Sequence, residues 1–169
     1  LSNLWLLSES MLLIVPASGR EAYDHFRKTI EKMWTVDELL KLGVNIPSDV
    51  VEKLRSVERF CIWGSLPTVV GISKAWEELD KGWVAAFYRE GYIVCYGVIF
   101  AKFRSSQLAE KLWSRDKNGR TWEYVYFIRD VVWTRIPWDV VKEELGYRID
   151  RPQGHLFVDA GRIRKIVDK

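Results

Sequence analysis

Short apolar runs and short amphipathic stretches alternate along the chain, which predicts strands interspersed with small helices. The apolar run at residues 11–16 predicts a short buried strand. Apolar side chains then recur at helical spacing, which predicts a helix over residues 20–33. Ser18 is the expected N-cap of this helix, because a serine side chain can accept a hydrogen bond from a free backbone amide of the first turn.

Residues 34–57 have the pattern of a small helical insertion or lid. Thr35 precedes Glu38 by three positions, the spacing of a capping box at the start of a helix. Gly43 is placed to end that helix, because glycine readily adopts the left-handed conformation common at helix C-termini. Pro47 then begins a further short helix.

The remaining predicted elements are also short. In chain order they are a strand at 58–64, a helix at 69–79, a hairpin of strands at 83–88 and 92–103, a helix at 105–112 capped by Ser105, a strand at 121–132, a helix at 137–145 and a basic helix at 159–168. They show no regular βαβ alternation, which favours an α+β fold with a twisted, antiparallel or mixed sheet or small barrel flanked by helices. We expect a single domain over residues 1–169, with an N-terminal extension at residues 1–10.

The composition narrows the range of functions. An apolar fraction of 48% suffices for a core, and a net charge of +3 tolerates an anionic partner without requiring one. Nine Trp residues exceed what core packing ordinarily needs. Cys61 and Cys95 lie in apolar runs, so we expect reduced, buried thiols and a cytoplasmic protein. The longest apolar run is too short to span a bilayer, so no membrane partner is expected.

Motifs of familiar catalytic chemistry do not occur in the sequence. It contains no G-x-x-x-x-G-K-[ST] or G-x-G-x-x-G loop, and no G-x-S-x-G or H-E-x-x-H signature. His25 and His155 stand alone, so no Cys/His spacing indicates zinc. We therefore expect no catalytic activity, no cofactor and no metal site in this chain.

Two tryptophans stand at the ends of predicted elements. Trp113 is followed by the basic segment 114–120, and Trp63 lies near the end of a predicted strand. Two indoles held on rigid elements above a basic loop can clamp a flat group such as a nucleobase. Each indole taken alone is equally consistent with a place in the core.

Four segments with characteristic motifs follow one another along the chain. They are Leu12-Leu-Ile-Val-Pro-Ala-Ser18 before a helix, Cys61-Ile-Trp-Gly-Ser65, Lys81-Gly-Trp-Val-Ala-Ala-Phe-Tyr88 with Tyr96-Gly-Val-Ile99, and Trp113-Ser-Arg-Asp-Lys117 with Tyr124-Val-Tyr-Phe-Ile-Arg-Asp-Val131. In this order they resemble the YTH and EVE branches of the PUA-like superfamily, over roughly residues 11–168. The resemblance implies a small barrel that reads modified bases.

This resemblance also implies an aromatic cage that holds N6-methyladenine or a similar base. Trp63 and Trp113 stand at two of the family's cage positions. Gly64 corresponds to the residue whose carbonyl accepts a hydrogen bond from the exocyclic N–H of the base. Ser65 corresponds to a residue that contacts the base or its backbone.

Two further positions are implied by the resemblance. YTH readers place a Trp or another apolar residue in the loop after the W-S-x-D-K motif, and Asn118 stands there in this chain. Trp122 or Trp34 is available to form that third wall instead. The polar residue at the start of the family's first helix, which reads the adenine ring, falls at Glu21.

Base contacts alone give little net affinity. Stacking contributes about 1–3 kcal/mol per base and a buried methyl roughly 0.8 kcal/mol, while extracting the base from a duplex costs a few kcal/mol. Phosphate contacts must therefore supply much of the affinity. The candidates are the basic residues near Trp113 in sequence, namely Lys102, Arg104, Lys111, Arg115, Lys117 and Arg120.

The chain is also similar to the N-terminal targeting domain of archaeal McrB-type restriction GTPases, in which an AAA+ motor follows the recognition domain. This similarity implies a non-catalytic module that flips a methylated adenine out of DNA, with the motor and a nuclease subunit as partners. Three alternatives remain open: a YTH-like reader of N6-methyladenine in RNA, an ASCH-like nucleoside-processing enzyme with a buried Lys or Glu in its pocket, and a structural domain that binds no nucleic acid.

Overall fold

The structure, a computed structural model, describes residues 11–158. These residues form an α+β fold in which a curled, mixed sheet of six strands makes a half-barrel, with several helices around it. The predicted α+β class and flanking helices are therefore confirmed. The extension predicted at residues 1–10 and the basic helix predicted at 159–168 lie outside the described residues.

The sheet joins strands that are far apart in the sequence. The strands are β1 (Leu12–Pro16), β2 (Cys61–Ser65), β3 (Val84–Arg89), β4 (Tyr92–Arg104), β5 (Tyr124–Pro137) and β6 (Leu156–Val158). Their order in the described part of the chain is β2-β5-β4-β3-β1-β6. β1 and β3 pair in parallel, and the other neighbours pair antiparallel. The long connection between β1 and β3 makes the parallel pairing possible, because the chain must return to the same end of the sheet.

The helices are short and lie between the strands in sequence. They are α1 (Arg20–Phe26), α2 (Val36–Leu40), α3 (Ser48–Arg55), α4 (Ile72–Ala75), α5 (Ser106–Trp113) and α6 (Trp138–Leu145). α1 continues into one turn of π-helix, Arg27–Glu31, and the Lys32 amide donates to the Arg27 carbonyl five residues back at 3.3 Å. The helix predicted at 20–33 is thus continuous as far as residue 31.

Side chains cap two helices as the sequence predicts. The Glu38 amide donates to the Thr35 hydroxyl at 3.2 Å, and the Thr35 amide donates to the Glu38 carboxylate at 3.0 Å. These two bonds form the capping box of α2. At the start of α5, the Leu108 amide donates to the Ser105 hydroxyl at 3.0 Å. Both predicted caps are confirmed.

We expect the change Thr35→Ala to lower the free energy of unfolding by about 1 kcal/mol. The Glu38 amide loses its hydroxyl acceptor, and the Glu38 carboxylate loses one of the groups that hold it against the Thr35 amide. The change Thr35→Ser keeps the hydroxyl and is the matched control. Urea denaturation of both variants checks the difference. Equal stabilities of the two variants would show that the capping box contributes nothing.

The N-cap predicted at Ser18 is wrong. Gly19 precedes α1, and no side chain caps this helix. The Ser18 hydroxyl instead accepts a hydrogen bond from the Glu90 amide at 3.0 Å. Glu90 lies in the turn between β3 and β4, so this hydroxyl ties the start of α1 to the hairpin.

The helix predicted at 69–79 is also wrong in extent, because only Ile72–Ala75 is helical. Gly71 has a φ of +90°, in the left-handed region, and the helix begins immediately after it. A Cβ at Gly71 would lie 2.9 Å from the ring of Phe157 in β6. The apolar pattern of residues 69–79 favours a longer helix, but the contact of Gly71 with Phe157, which is distant in sequence, limits where the helix begins.

β5 is longer than the strand predicted at 121–132. It pairs with β2 through residues 124–128 and with β4 along its whole length. Within the described chain, residues 129–137 have β4 as their strand partner. Trp133 in this half is 52% exposed. Polar residues interrupt the apolar pattern of this half, and a strand prediction depends on that pattern. The predicted strand therefore ends at residue 132, although β5 continues to residue 137.

Buried side chains form three clusters on the sheet. One joins α1 and its π-turn to the sheet, a second joins α6 to β1, β3 and β4, and a third joins α2, α3 and α5 to β2 and β5. The segment at 34–57 is thus helical and contributes Leu39 and Leu54 to the third cluster. Cys61 and Cys95 are free and buried, as predicted, and burial raises the pKa of the Cys61 thiol to about 12.

Candidate base-binding site

Three tryptophans from separate parts of the chain lie close together. Trp63 is in β2, Trp113 ends α5, and Trp122 lies in the connection from α5 to β5. We call these side chains the indole cluster. The ring centroids of Trp63 and Trp113 are 6.5 Å apart, and their planes are inclined by 59°. The two cage positions implied by the sequence are therefore neighbours in space, and Trp122 joins them.

The imidazole of His25 lies among these three indoles. Its ring centroid is 4.3 Å from that of Trp122, 5.7 Å from that of Trp113 and 6.4 Å from that of Trp63. His25 is only 7% exposed. Sequence reasoning found no role for it, although its position one residue before the buried Phe26 places it near the apolar face of α1.

Burial and, to a lesser degree, the nearby cation of Lys28 lower the pKa of His25 to about 4, although Asp24 acts in the opposite direction. The imidazole is therefore neutral at physiological pH. His25 binds fewer protons in the folded protein than in the unfolded chain between pH 4 and 6.5. Its contribution to stability is complete above pH 6.5 and is lost as the pH falls towards 4.

Gly64 supports the indole cluster by having no side chain. A Cβ at this position would lie 2.6 Å from Cζ3 of Trp113 and 2.4 Å from the backbone oxygen of Trp122. The Trp113 ring therefore rests directly on the backbone of β2. Only glycine leaves room for this contact.

Ser65 is buried and follows directly after Gly64 in β2. Its hydroxyl lies 3.2 Å from Nε2 of His155, in hydrogen-bond contact. Burial lowers the pKa of His155 to about 4, so this imidazole is neutral as well. The hydroxyl that the resemblance assigns to base contact is thus engaged with a histidine just before β6.

A pocket of about 370 Å³ opens beside the indole cluster. Its lining residues are Arg20, Glu21, Asp24, His25, Lys28 and Trp113. Glu21, which the resemblance places at the adenine ring, therefore shares this pocket with Trp113. Two cations and two carboxylates line the pocket together, so its charge is balanced. The indole N–H of Trp113 is buried without a hydrogen-bond partner.

The other two candidates for a third wall lie elsewhere. The Asn118 amide donates to the Asp116 carboxylate at 2.9 Å in the loop after α5, and the Asn118 side chain is exposed. The Trp34 indole donates to the Lys28 carbonyl at 2.9 Å, and Trp34 pairs with Phe60 by a β-bridge. Of the three residues considered from sequence, Trp122 is the one in ring contact with His25.

Lys102 is engaged within the protein. Its ammonium lies 3.1 Å from the Asp80 carboxylate and donates to the Trp76 carbonyl. The side chain is 14% exposed. Buried ion pairs of this kind hold their partners firmly, because separating them leaves an unpaired charge. Lys102 is therefore not free to bind a phosphate in this structure.

Three other predicted phosphate ligands also have carboxylate partners, in exposed or partly exposed pairs. These pairs are Arg104 with Glu123 at 2.6 Å, Arg115 with Glu110 at 2.9 Å, and Arg120 with Asp116 at 3.1 Å. Exposed pairs contribute little stability and exchange readily with a phosphate. Lys111 and Lys117 are exposed, and no partner is seen for either among residues 11–158. These two lysines are the freest cations of the predicted set.

No protein-family model matches this chain, and no curated protein matches it in sequence. Function is therefore inferred from the indole cluster and the pocket beside it. Over residues 11–158, no group of three His, Cys, Asp or Glu side chains is placed to hold a metal ion. No helix in this range is long and apolar enough to cross a membrane.

Proposed function

We propose that this protein reads a methylated base, with N6-methyladenine in DNA as the favoured ligand, and that it adopts a PUA-like fold of the YTH/EVE type. The base is flipped from the duplex and held by the indole cluster. On this proposal the chain is the non-catalytic targeting part of a modification-dependent restriction system, whose AAA+ motor and nuclease subunit are its partners. The observation that carries the proposal is the convergence of Trp63, Trp113 and Trp122 beside an open pocket.

Indoles from three separate segments suit a flat, methylated ring. Each stacked base contributes about 1–3 kcal/mol, and a methyl group buried against the rings adds roughly 0.8 kcal/mol. A base between two parallel rings needs them about 7 Å apart, twice the contact distance of about 3.5 Å. Trp63 and Trp113 are 6.5 Å apart and inclined by 59°, so they offer a base two angled walls rather than a parallel sandwich.

The charges at the pocket fit a nucleotide. Arg20 and Lys28 are exposed on α1 and its π-turn, where they are available to the phosphates on either side of a flipped base. Glu21 offers a carboxylate acceptor to an exocyclic N–H. Lys111, in the last turn of α5, and Lys117, in the loop after this helix, extend the cationic surface.

The enzyme alternative receives less support from the pocket. An ASCH-like enzyme would need a buried Lys or Glu, whereas Glu21 and Lys28 are exposed. The RNA-reading alternative differs from the proposal only in the sugar and the strand, so it becomes an arm of the same experiment.

We expect the protein to bind a DNA duplex that contains N6-methyladenine about fourfold more tightly than the unmethylated duplex, because the buried methyl group contributes roughly 0.8 kcal/mol. Fluorescence anisotropy at constant salt measures the difference. The change Trp122→Ala should abolish this preference, because a stacking wall is lost. Trp122 is only partly buried, so its replacement is less disruptive than that of Trp63 or Trp113. The change Trp133→Ala removes an exposed indole outside the cluster and should leave the preference intact.

The matching pair of single-stranded RNAs, with and without N6-methyladenine, is measured in parallel. A preference confined to the RNA pair would replace DNA with RNA as the ligand. Equal binding of methylated and unmethylated forms in both pairs, by a protein that is folded, would refute the reader function.

A further inference from the structure

The space within the indole cluster is already filled by part of the protein. The ring of His25 contacts all three indoles. Its centroid lies 4.3 Å from that of Trp122 and 5.7 Å from that of Trp113, whereas the centroids of Trp63 and Trp113 are 6.5 Å apart. A flat base in contact with the same three rings needs the volume that the imidazole occupies. The two rings therefore cannot be present in the cluster together.

We propose that His25 is an internal occupant of the indole cluster, which a base must displace in order to bind. This inference rests on the proposed function and extends it. His25 determines how strongly a ligand ring must stack on the indoles in order to bind. The favoured ligand is an uncharged, flat heteroaromatic ring, like the neutral imidazole that it replaces. A ring without sufficient stacking energy leaves His25 in place.

His25 has room to move and little to hold its side chain. The hydrogen bond seen for this residue uses its backbone carbonyl, which accepts from the Thr29 hydroxyl at 3.1 Å. Among residues 11–158, the ring contacts of this imidazole are those with the three indoles, and no hydrogen bond to the ring is seen. The residue also lines the pocket of about 370 Å³ beside the cluster. A change of side-chain rotamer would thus carry the imidazole from the indoles into open space.

Displacement of this ring should depend on pH. Inside the cluster the pKa of His25 is about 4, because burial disfavours the charged ring, and Lys28 acts in the same direction while Asp24 opposes it. Arg20 and Glu21 are the other charged groups at this pocket, and the other elements in ring contact with His25 present uncharged indoles. In solvent the imidazole has an ordinary pKa near 6.5. Acid therefore favours the displaced state, in which the ring can take up a proton.

The first test is binding of the methylated duplex at two pH values. From these pKa values, affinity should rise about tenfold between pH 7.5 and 5.5. The unmethylated duplex, measured at the same pH values, corrects for changes in phosphate binding. The change His25→Ala removes the ring that must be displaced, so it should bind at pH 7.5 at least as tightly as the natural protein does at pH 5.5. Its affinity should vary with pH no more than that of the unmethylated duplex does. The change His25→Phe keeps an uncharged ring in place and should bind weakly at both pH values.

These variants also give outcomes that overturn the inference. A folded His25→Ala protein that binds no more tightly than the natural protein at pH 7.5 would show that the imidazole does not compete with the base. A pH dependence that persists in His25→Phe would assign the titration to another group. Circular dichroism establishes that each variant is folded before its affinity is compared.

A second test needs no nucleic acid and separates this inference from the proposed function. Free imidazole should raise the melting temperature of His25→Ala but not that of the natural protein, because it refills the vacated space. The effect should be larger at pH 8 than at pH 5.5, since the cluster accepts the neutral ring. If imidazole stabilises the variant while neither protein prefers methylated DNA or RNA, the cluster has an internal occupant and the reader function fails. If imidazole has no effect, the occupant itself is refuted.

Discussion

Replacing Trp113 with alanine is expected to lower the free energy of unfolding by about 3–5 kcal/mol. This indole is 4% exposed and packs in the third core cluster, so its removal leaves a large cavity between α5 and β2. The change Trp133→Ala removes the same side chain from a position that is 52% exposed, and it should cost less than about 1 kcal/mol. Urea denaturation of both variants measures the difference. Similar losses in the two proteins would show that Trp113 is not packed as described.

A milder change at Trp113 separates its packing from its hydrogen bonding. The indole N–H of Trp113 is buried without a partner, whereas that of the equally buried Trp138 donates to the Ile149 carbonyl at 3.0 Å. The change Trp113→Phe removes an unpaired donor, but Trp138→Phe removes a donor and leaves a carbonyl without its partner. We therefore expect Trp138→Phe to cost about 1–2 kcal/mol more than Trp113→Phe. The reverse order would show that the Trp113 N–H is satisfied.

Replacing Gly64 with alanine is expected to lower the free energy of unfolding by about 3 kcal/mol, at the upper end of the usual cost of overpacking. The added Cβ would lie 2.4 Å from the Trp122 carbonyl oxygen, which belongs to the backbone and cannot move alone, and 2.6 Å from the Trp113 ring. The near-ultraviolet circular dichroism should change too, because the indoles must shift.

Gly154 offers the control for this substitution. A Cβ there meets no atom within 4 Å, so Gly154→Ala should change the stability by less than about 0.5 kcal/mol. Thermal or urea unfolding of the pair, together with their near-ultraviolet spectra, completes the comparison. If Gly64→Ala were as stable as Gly154→Ala, Trp113 would not rest on the backbone of β2.

Features that depend on a few neighbouring residues could be predicted from the sequence. The capping box of Thr35 and Glu38 and the cap of Ser105 follow from spacing alone, because each bond joins residues three apart. The hairpin between β3 and β4 also follows from its local turn. The limits of α4 do not, since the close approach of Phe157 to Gly71 is made by a residue far along the chain.

The candidate site likewise combines residues that the sequence predicts with residues that only the fold brings there. Spacing and motifs singled out Trp63 and Trp113, which the fold then brings together. The sequence did not indicate that His25 would lie against both of them, because that contact requires α1 to pack on the end of β2. The ion pair of Lys102 with Asp80 was hidden for a similar reason, since a basic residue in a strand gives no sign of a carboxylate from another segment.

The π-turn after α1 takes up one residue more than an α-helical turn does. Ile30 is anchored in the core, and His25 reaches the indoles five residues earlier. Winding all of Arg27–Glu31 as an ordinary α-helix would rotate everything before it by about 100°, since an α-helix has 3.6 residues per turn. His25 and the pocket residues of α1 would then leave the indoles together. Loss of one residue from this turn would instead let it close as an α-helix while His25 keeps its place at the indoles.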